Sequence, residues 1–255
     1  MVNMKNFSPY STIIFIFCIL VINPLALSNT KKEQKVYELI ENFTEIMSKA
    51  WMEDELLKTI SMPQTILLDA NSRVYGGCRN RNKNLKTISG SSYCGSTNTI
   101  YLVKEDVDLF YEINNSSGLL YVLAHEWSHS LQHAWLSDLS DAARELQADC
   151  LAGRFISIFD ETIDREKILK LAKFSLHLGS KYHGTGNQRA YALLTGLGVI
   201  DGTCSSPKMQ HLAEKPRKAN KVIRLMNLRS ASNDININKS PYKKSFGELI
   251  EKFVY

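Results

Sequence analysis

Tyr121-Val122-Leu123-Ala124-His125-Glu126-Trp127-Ser128-His129-Ser130-Leu131-Gln132-His133 is the stretch on which the reading of this chain turns. On a helix, residues four apart lie one above the other on one face. The imidazoles of His125 and His129 can therefore reach a single zinc ion. Glu126 neighbours the first of them and is placed to take the proton of a water activated there. The apolar run Leu119 to Ala124 just before the motif suits a buried helix, which such a site needs. The ordinary alternative is a helix that happens to carry two surface histidines.

Two imidazoles leave zinc under-coordinated, and a catalytic site takes a third protein ligand while keeping one position open. Glu145-Leu146-Gln147-Ala148-Asp149-Cys150 follows a turn at Ser137–Asp141. Ser140 or Asp141 can cap a second helix there. Glu145 and Asp149 are again four apart, so both carboxylates face one way. Glu145 is expected to be the third ligand. Asp149 is expected behind the metal, accepting a ring N–H from a liganding histidine and so setting its tautomer. A solvated acidic helix face is the plain alternative. His133 competes as a ligand, but a straight helix carries it a further turn from the metal.

The chain resembles the neutral zinc metallopeptidase family, bacterial proteins that are exported or membrane-associated. Four ordered blocks over roughly residues 60–205 carry the resemblance. They are Cys78 to Leu102, with Ser89-Gly90-Ser91-Ser92-Tyr93-Cys94 and Ile100-Tyr101-Leu102; Ala124-His125-Glu126-x-x-His129-x-x-Gln132; Glu145-Leu146-Gln147-Ala148-Asp149-Cys150-x-Ala152-Gly153; and His183-Gly184-Thr185-x-x-Gln188-Arg189. The chain departs from that pattern at Ser128 (often Gly), at Ser130 (often His), at Gly179-Ser180-Lys181 (often acidic), and in a shorter segment between the two helices. The resemblance implies a gluzincin: an α+β, zincin-like metallopeptidase domain, mostly helical with a small sheet, holding one Zn2+ per chain. It agrees with the ligand set His125, His129 and Glu145.

The reaction so implied is hydrolysis of a peptide bond, with Glu126 as general base and then proton donor to the leaving amine. The oxyanion that forms needs a donor. His183, opening the His-Gly-Thr block ahead of a helix, is the candidate; a loop histidine capping that helix is the alternative. Arg189 could orient His183 or hold Glu145. Two other functions stay open: a zinc hydrolase of cell-wall amides, and a non-catalytic, chaperone-like zinc-binding module. The presence of Glu126 weighs against the last, since a structural site needs no base.

Lys5 followed by the apolar run Ile13–Ile22, then Asn23-Pro24 and Ala26-Leu27-Ser28, reads as a signal peptide over 1–28 cleaved after Ser28, or as an uncleaved anchor. Export to the periplasm or medium follows, with membrane attachment as an option. Outside the leader lie four cysteines: Cys78, Cys94, Cys150 and Cys204. In an oxidising compartment they suggest two disulfides with three possible connectivities. Cys78–Cys94 and Cys150–Cys204 is the preferred set. The first closes a polar loop with little core of its own, a closure that contributes about 3 kcal/mol in the chain-entropy account. The formal net charge is +5, and the basicity is concentrated after Cys204, where eleven Lys and Arg face four Asp and Glu. Aromatics are late in that segment and export argues against nucleic acid as a partner, so a solvated extension is expected, with contact to an anionic envelope surface as a minor option. The expected substrate is a peptide or protein.

Elsewhere, Val36, Leu39, Ile40, Phe43, Ile46, Met47 and Trp51 have helical spacing, predicting one amphipathic helix within 33–60 that Pro63 ends. Thr65–Leu68 and Thr99–Val103 read as strands. In zincins an edge strand beside the metal helix holds the substrate backbone, and Ile100-Tyr101-Leu102 resembles it. Helices are expected over 164–178 and 187–196, a loop over 233–238 and a short helix near Leu249–Phe253. The domain plan is a leader over 1–28, a catalytic domain over 29–206 and a basic extension over 207–255.

Overall fold

The computed structural model describes residues 24–55, 57–75, 85–160 and 162–220. The apolar leader core, Cys78, the Asn-rich segment at 233–238 and the expected final helix lie outside the described residues. The chain divides into two units, Met1–Lys35 and Val36–Tyr255. Among the described residues no helix is long and apolar enough to cross a membrane.

The fold is α+β, mostly helical with a small mixed sheet. Helix α1 spans Pro24–Glu53. Proline is tolerated as a first helical residue because the N–H it lacks has no partner there. Within the second unit α1 buries Val36, Ile40, Phe43, Met47 and Trp51, the face its apolar spacing predicts, while Ile46 stays exposed. The helix stops at Glu53 rather than running on toward Pro63. The Asp54 carboxylate accepts the Leu57 N–H at 2.8 Å and starts a separate 3-10 turn, Leu57–Thr59. Trp51 Nε1 donates to the Ile60 carbonyl, which folds this segment back and buries Leu57.

Among the described residues five short strands follow: β1 (Gln64–Leu68), β2 (Arg73–Tyr75), β3 (Leu85–Thr87), β4 (Ser92–Cys94) and β5 (Thr99–Val103). β2 and β3 form an antiparallel pair of their own. The other sheet has the order β1-β5-β4, with β1 parallel and β4 antiparallel to β5. This corrects one expectation. Ile100-Tyr101-Leu102 lies on the central strand, hydrogen-bonded on both sides, and so has no free edge. The edge strand on the side of the long helix described next is β4.

Helix α2 (Lys104–Ala134) breaks at Asn114–Asn115, where Asn115 takes φ +50°. An asparagine tolerates that left-handed turn better than most residues. The Asn114 amide donates to the Lys167 carbonyl, and Ser117 Oγ donates to the Asp160 carboxylate. Gly118 is required because a β-carbon there would sit 1.8 Å from the Phe110 carbonyl oxygen. The second half of α2 carries the histidine motif and is almost wholly buried, as its apolar approach predicts.

Helices α3 (Asp141–Phe159), α4 (Arg165–His177), α5 (Gly186–Gly196) and α6 (Ser206–Glu214) complete the core. Ser140 is the N-cap residue of α3, but its hydroxyl bonds Gln210 instead of capping the helix. Asp164 caps α4, and Thr185 with Gln188 forms a capping box on α5. Cys150 and Cys204 are disulfide-bonded, with Cα atoms 5.5 Å apart. Cys94 is also in a disulfide.

Packing continues past residue 206, where the basic extension was expected to begin. Met209 and Leu212 on α6, and Ala219 after it, are buried in the same core as the histidine helix. Gln188 of α5 donates to the carbonyls of Leu212 and Ala213, closing the last turn of α6. The apolar residues of this segment are few, but they fall on one face of a short helix, and that is enough to dock it.

Candidate metal centre

The second half of α2 and the first turns of α3 bring three ligands together. His125 Nε2 lies 3.2 Å from His129 Nε2 and 3.2 Å from Glu145 Oε2, and His129 Nε2 lies 3.6 Å from Glu145 Oε1. Among the described residues these are the His, Cys, Asp and Glu side chains that converge, with ligand atoms all within 4.8 Å of one another. Two nitrogens on a tetrahedral zinc, each about 2.0–2.1 Å from the metal, lie roughly 3.3 Å apart. The nitrogen pair therefore already has the spacing of two ligands of one ion. His133 is exposed at the helix end, outside the trio, and tilts against Tyr93 with ring centroids 5.9 Å apart.

The surroundings favour a cation. Burial opposes charging His125, but the Asp149 and Glu145 carboxylates on either side outweigh it and push its imidazole up to about 10. Burial likewise opposes an ionised Glu145, and the two imidazoles overcome it, holding the carboxyl well below the usual range. The residues present fit a divalent metal.

Behind the trio, Asp149 is fully buried and faces His125 Nδ1 at 3.0 Å from Oδ1, with the contact bent off the N–H axis. Arg189 grips it with two bonds, Nε to Oδ2 at 2.7 Å and an NH2 to Oδ1 at 2.8 Å. The Tyr121 hydroxyl donates to Oδ1 at 2.6 Å. Burial raises the Asp149 carboxyl, but Arg189 and the other donors win and hold it down to about 2. Arg189 thus clasps Asp149 and neither orients His183 nor holds Glu145. It is the bidentate geometry a guanidinium favours, and it keeps a buried charge paired.

Glu126 is buried beside the trio. Burial is the main force raising its carboxyl, opposed by the two imidazoles and by the Tyr93 N–H that it accepts. Tyr93 lies on β4, so the base and the edge strand meet directly. His183 is placed by the Ser180–Gly184 turn, whose closure needs the φ +81° of Gly184. The Ser180 hydroxyl receives the backbone N–H groups of Tyr182 and His183 and lies 2.6 Å from His183 Nδ1. Its own proton then goes to Nδ1, which leaves the ring proton on Nε2. That N–H is 3.9 Å from Glu145 Oε2, at the mouth of the site.

The trio, Glu126, Tyr121, Arg189 and His183 line one cleft of about 1240 Å³, walled by β4, α2 and α3 and by the His183 turn, with Asp149 buried behind it. Sequence reasoning brings together His125, Glu126, His129, Glu145, Asp149, His183 and Arg189, and the fold places all seven here. It assigns no role to Tyr121 or Gln132. Their signals were spacing: Tyr121 is four residues before His125 and Gln132 three after His129, each on the same helix face as a ligand. No family model, characterised protein or solved structure matches this chain.

Proposed function

We propose that this chain is an exported zinc metallopeptidase with a gluzincin-type site in a zincin-like domain. The observation that carries the reading is the convergence of His125, His129 and Glu145 beside a buried carboxylate, Glu126, that is not part of the trio. A site built only to hold a metal has no need of that fourth group. The outer edge of β4, beside Glu126, is where a peptide backbone would add.

His125, His129 and Glu145 hold the ion. A bound zinc supplies Lewis acidity, making a water nucleophilic near neutral pH and polarising a carbonyl. Glu126, its proton affinity raised by burial, takes the proton of the attacking water and passes it to the leaving nitrogen. His183 offers its Nε2–H toward the developing oxyanion, a role that needs a neutral or cationic donor at the cleft mouth. Asp149, held by Arg189 and Tyr121, keeps His125 oriented with Nε2 toward the trio.

The test is Glu126→Gln with metal analysis and peptide-library cleavage. Gln keeps an acceptor for the Tyr93 N–H but cannot carry a proton between water and amine. Stoichiometric zinc with a rate reduced by about 10²–10⁴-fold is expected. Wild-type turnover in the variant would overturn the mechanism.

A further inference from the structure

Behind His129 runs a chain of buried amides that reaches the disulfide. His129 Nδ1 is 2.9 Å from Gln132 Oε1. Gln132 Nε2 donates to the Arg144 carbonyl at 2.8 Å and to Gln147 Oε1 at 3.0 Å. Gln147 Nε2 donates in turn to the Cys204 carbonyl at 2.9 Å and lies 3.2 Å from Ser206 Oγ. Both glutamines are only 2% exposed.

The orientation of every amide in this chain is decided by its partners. A backbone carbonyl only accepts, so the groups facing Arg144 and Cys204 must be NH2. Gln147 therefore shows its oxygen to Gln132, and Gln132 shows its oxygen to His129. That oxygen also only accepts, so His129 must carry its proton on Nδ1 and present the Nε2 lone pair to Glu145 and His125. Cys204, the far anchor, is joined to Cys150 one residue from Asp149.

We propose that Gln132 and Gln147 are positioning residues: a buried relay, anchored at the disulfide-bonded Cys204, sets the tautomer and aim of His129 and thereby the metal affinity of the site. Neither touches the metal or the substrate. The inference rests on the metal reading above for its consequence, while the tautomer it dictates stands apart from any ion.

Zinc affinity by chelator competition, with folding checked by near-ultraviolet circular dichroism, is the test for the variants. Gln132→Leu removes the acceptor and is expected to weaken zinc by about 10–100-fold, the range for losing a partner behind a ligand. Gln147→Leu, which contacts neither ligand, is expected to weaken it in the same direction and by less. Gln132→Glu keeps an acceptor for Nδ1 but sets its second oxygen against the Arg144 carbonyl, so it should recover only part of the loss. Folded Leu variants that bind zinc as tightly as wild type overturn the proposal; so does a wild type that binds no zinc, which overturns the metal reading with it. Because a variant can fail to fold, imidazole nitrogen NMR of the wild-type protein gives a second arm. An Nδ1-protonated, exchange-protected His129 is expected, and an Nε2-protonated ring would overturn the relay.

Discussion

At the residue scale, the ligand set turns on a choice between Glu145 and His133. Both were within reach of His129 on sequence spacing. The fold decides it by helix geometry: α3 crosses back over α2 and delivers Glu145 to the two imidazoles, while His133 rides one further turn out to the surface. Glu145→Ala is expected to lose zinc and activity together, and His133→Ala to retain both, as metal analysis on the purified variants will read. Zinc lost from His133→Ala would mean the trio is misassigned. Asp149 behaves differently. It was legible as a residue behind the metal, but its own partners were not. The guanidinium comes from α5, forty residues on in sequence, and the phenol from α2.

At the element scale, the site depends on how closely α3 and α5 approach. A β-carbon on Gly196 would sit 1.8 Å from the Cys150 carbonyl oxygen, and one on Gly153 would sit 2.4 Å from that of Leu193. Both obstacles are backbone, which cannot swing aside as a side chain does. The helices must separate, and Arg189 on α5 then leaves Asp149 on α3. Gly196→Ala is expected to destabilise by about 3 kcal/mol or more, at or beyond the usual top of the overpacking range. Its zinc affinity should fall as well. Urea unfolding with and without zinc checks both, and a variant within about 0.5 kcal/mol of wild type, the ordinary scatter of neutral surface changes, would show that the two helices can slide. The histidine half of α2 and helices α3 to α5 were readable from the sequence, although the Ser140 hydroxyl expected to cap α3 bonds Gln210 instead. The end of α1 was not, because a single side chain, Asp54, starts a new turn where the apolar period continues.

At the scale of the whole molecule, the core does not end with the last ligand. Truncation after Ser206 removes Met209, Leu212 and Ala219 and leaves Gln188 without the carbonyls it holds. Such a chain is expected to unfold at markedly lower temperature and to lose zinc, whereas truncation after residue 220 should keep zinc. Equal thermal midpoints for the first truncation and the full chain would show that the segment after Ser206 adds nothing to the core. Metal removal should act on the same global equilibrium. A ligand at about 100 times its dissociation constant adds about 2.7 kcal/mol to the folded state. For a domain of this size that corresponds to roughly 5–10 °C of melting temperature. Chelation in a thermal scan is expected to lower the midpoint by that amount, and an unchanged midpoint would leave no metal bound in the native state.

The sequence by itself determined what local periodicity can carry. The i, i+4 pairs His125/His129 and Glu145/Asp149 each lie on one helix, so their shared face follows from 3.6 residues per turn without any knowledge of the fold. The strands at Gln64–Leu68 and Thr99–Val103 and the helices at Arg165–His177 and Gly186–Gly196 were legible for similar reasons, whereas Cys150–Cys204 was a preference among three connectivities that the fold selects. Only the tertiary structure decided which strand lies at the sheet edge beside the metal helix, because strand order is a matter of pairing across distant segments. Only it assigned Arg189 to Asp149, since a long flexible side chain takes the partner that the packing of α3 on α5 presents. And only it joined Gln132 to Gln147 and Cys204, because a glutamine's role is set by which donors and acceptors the fold turns toward its two ends.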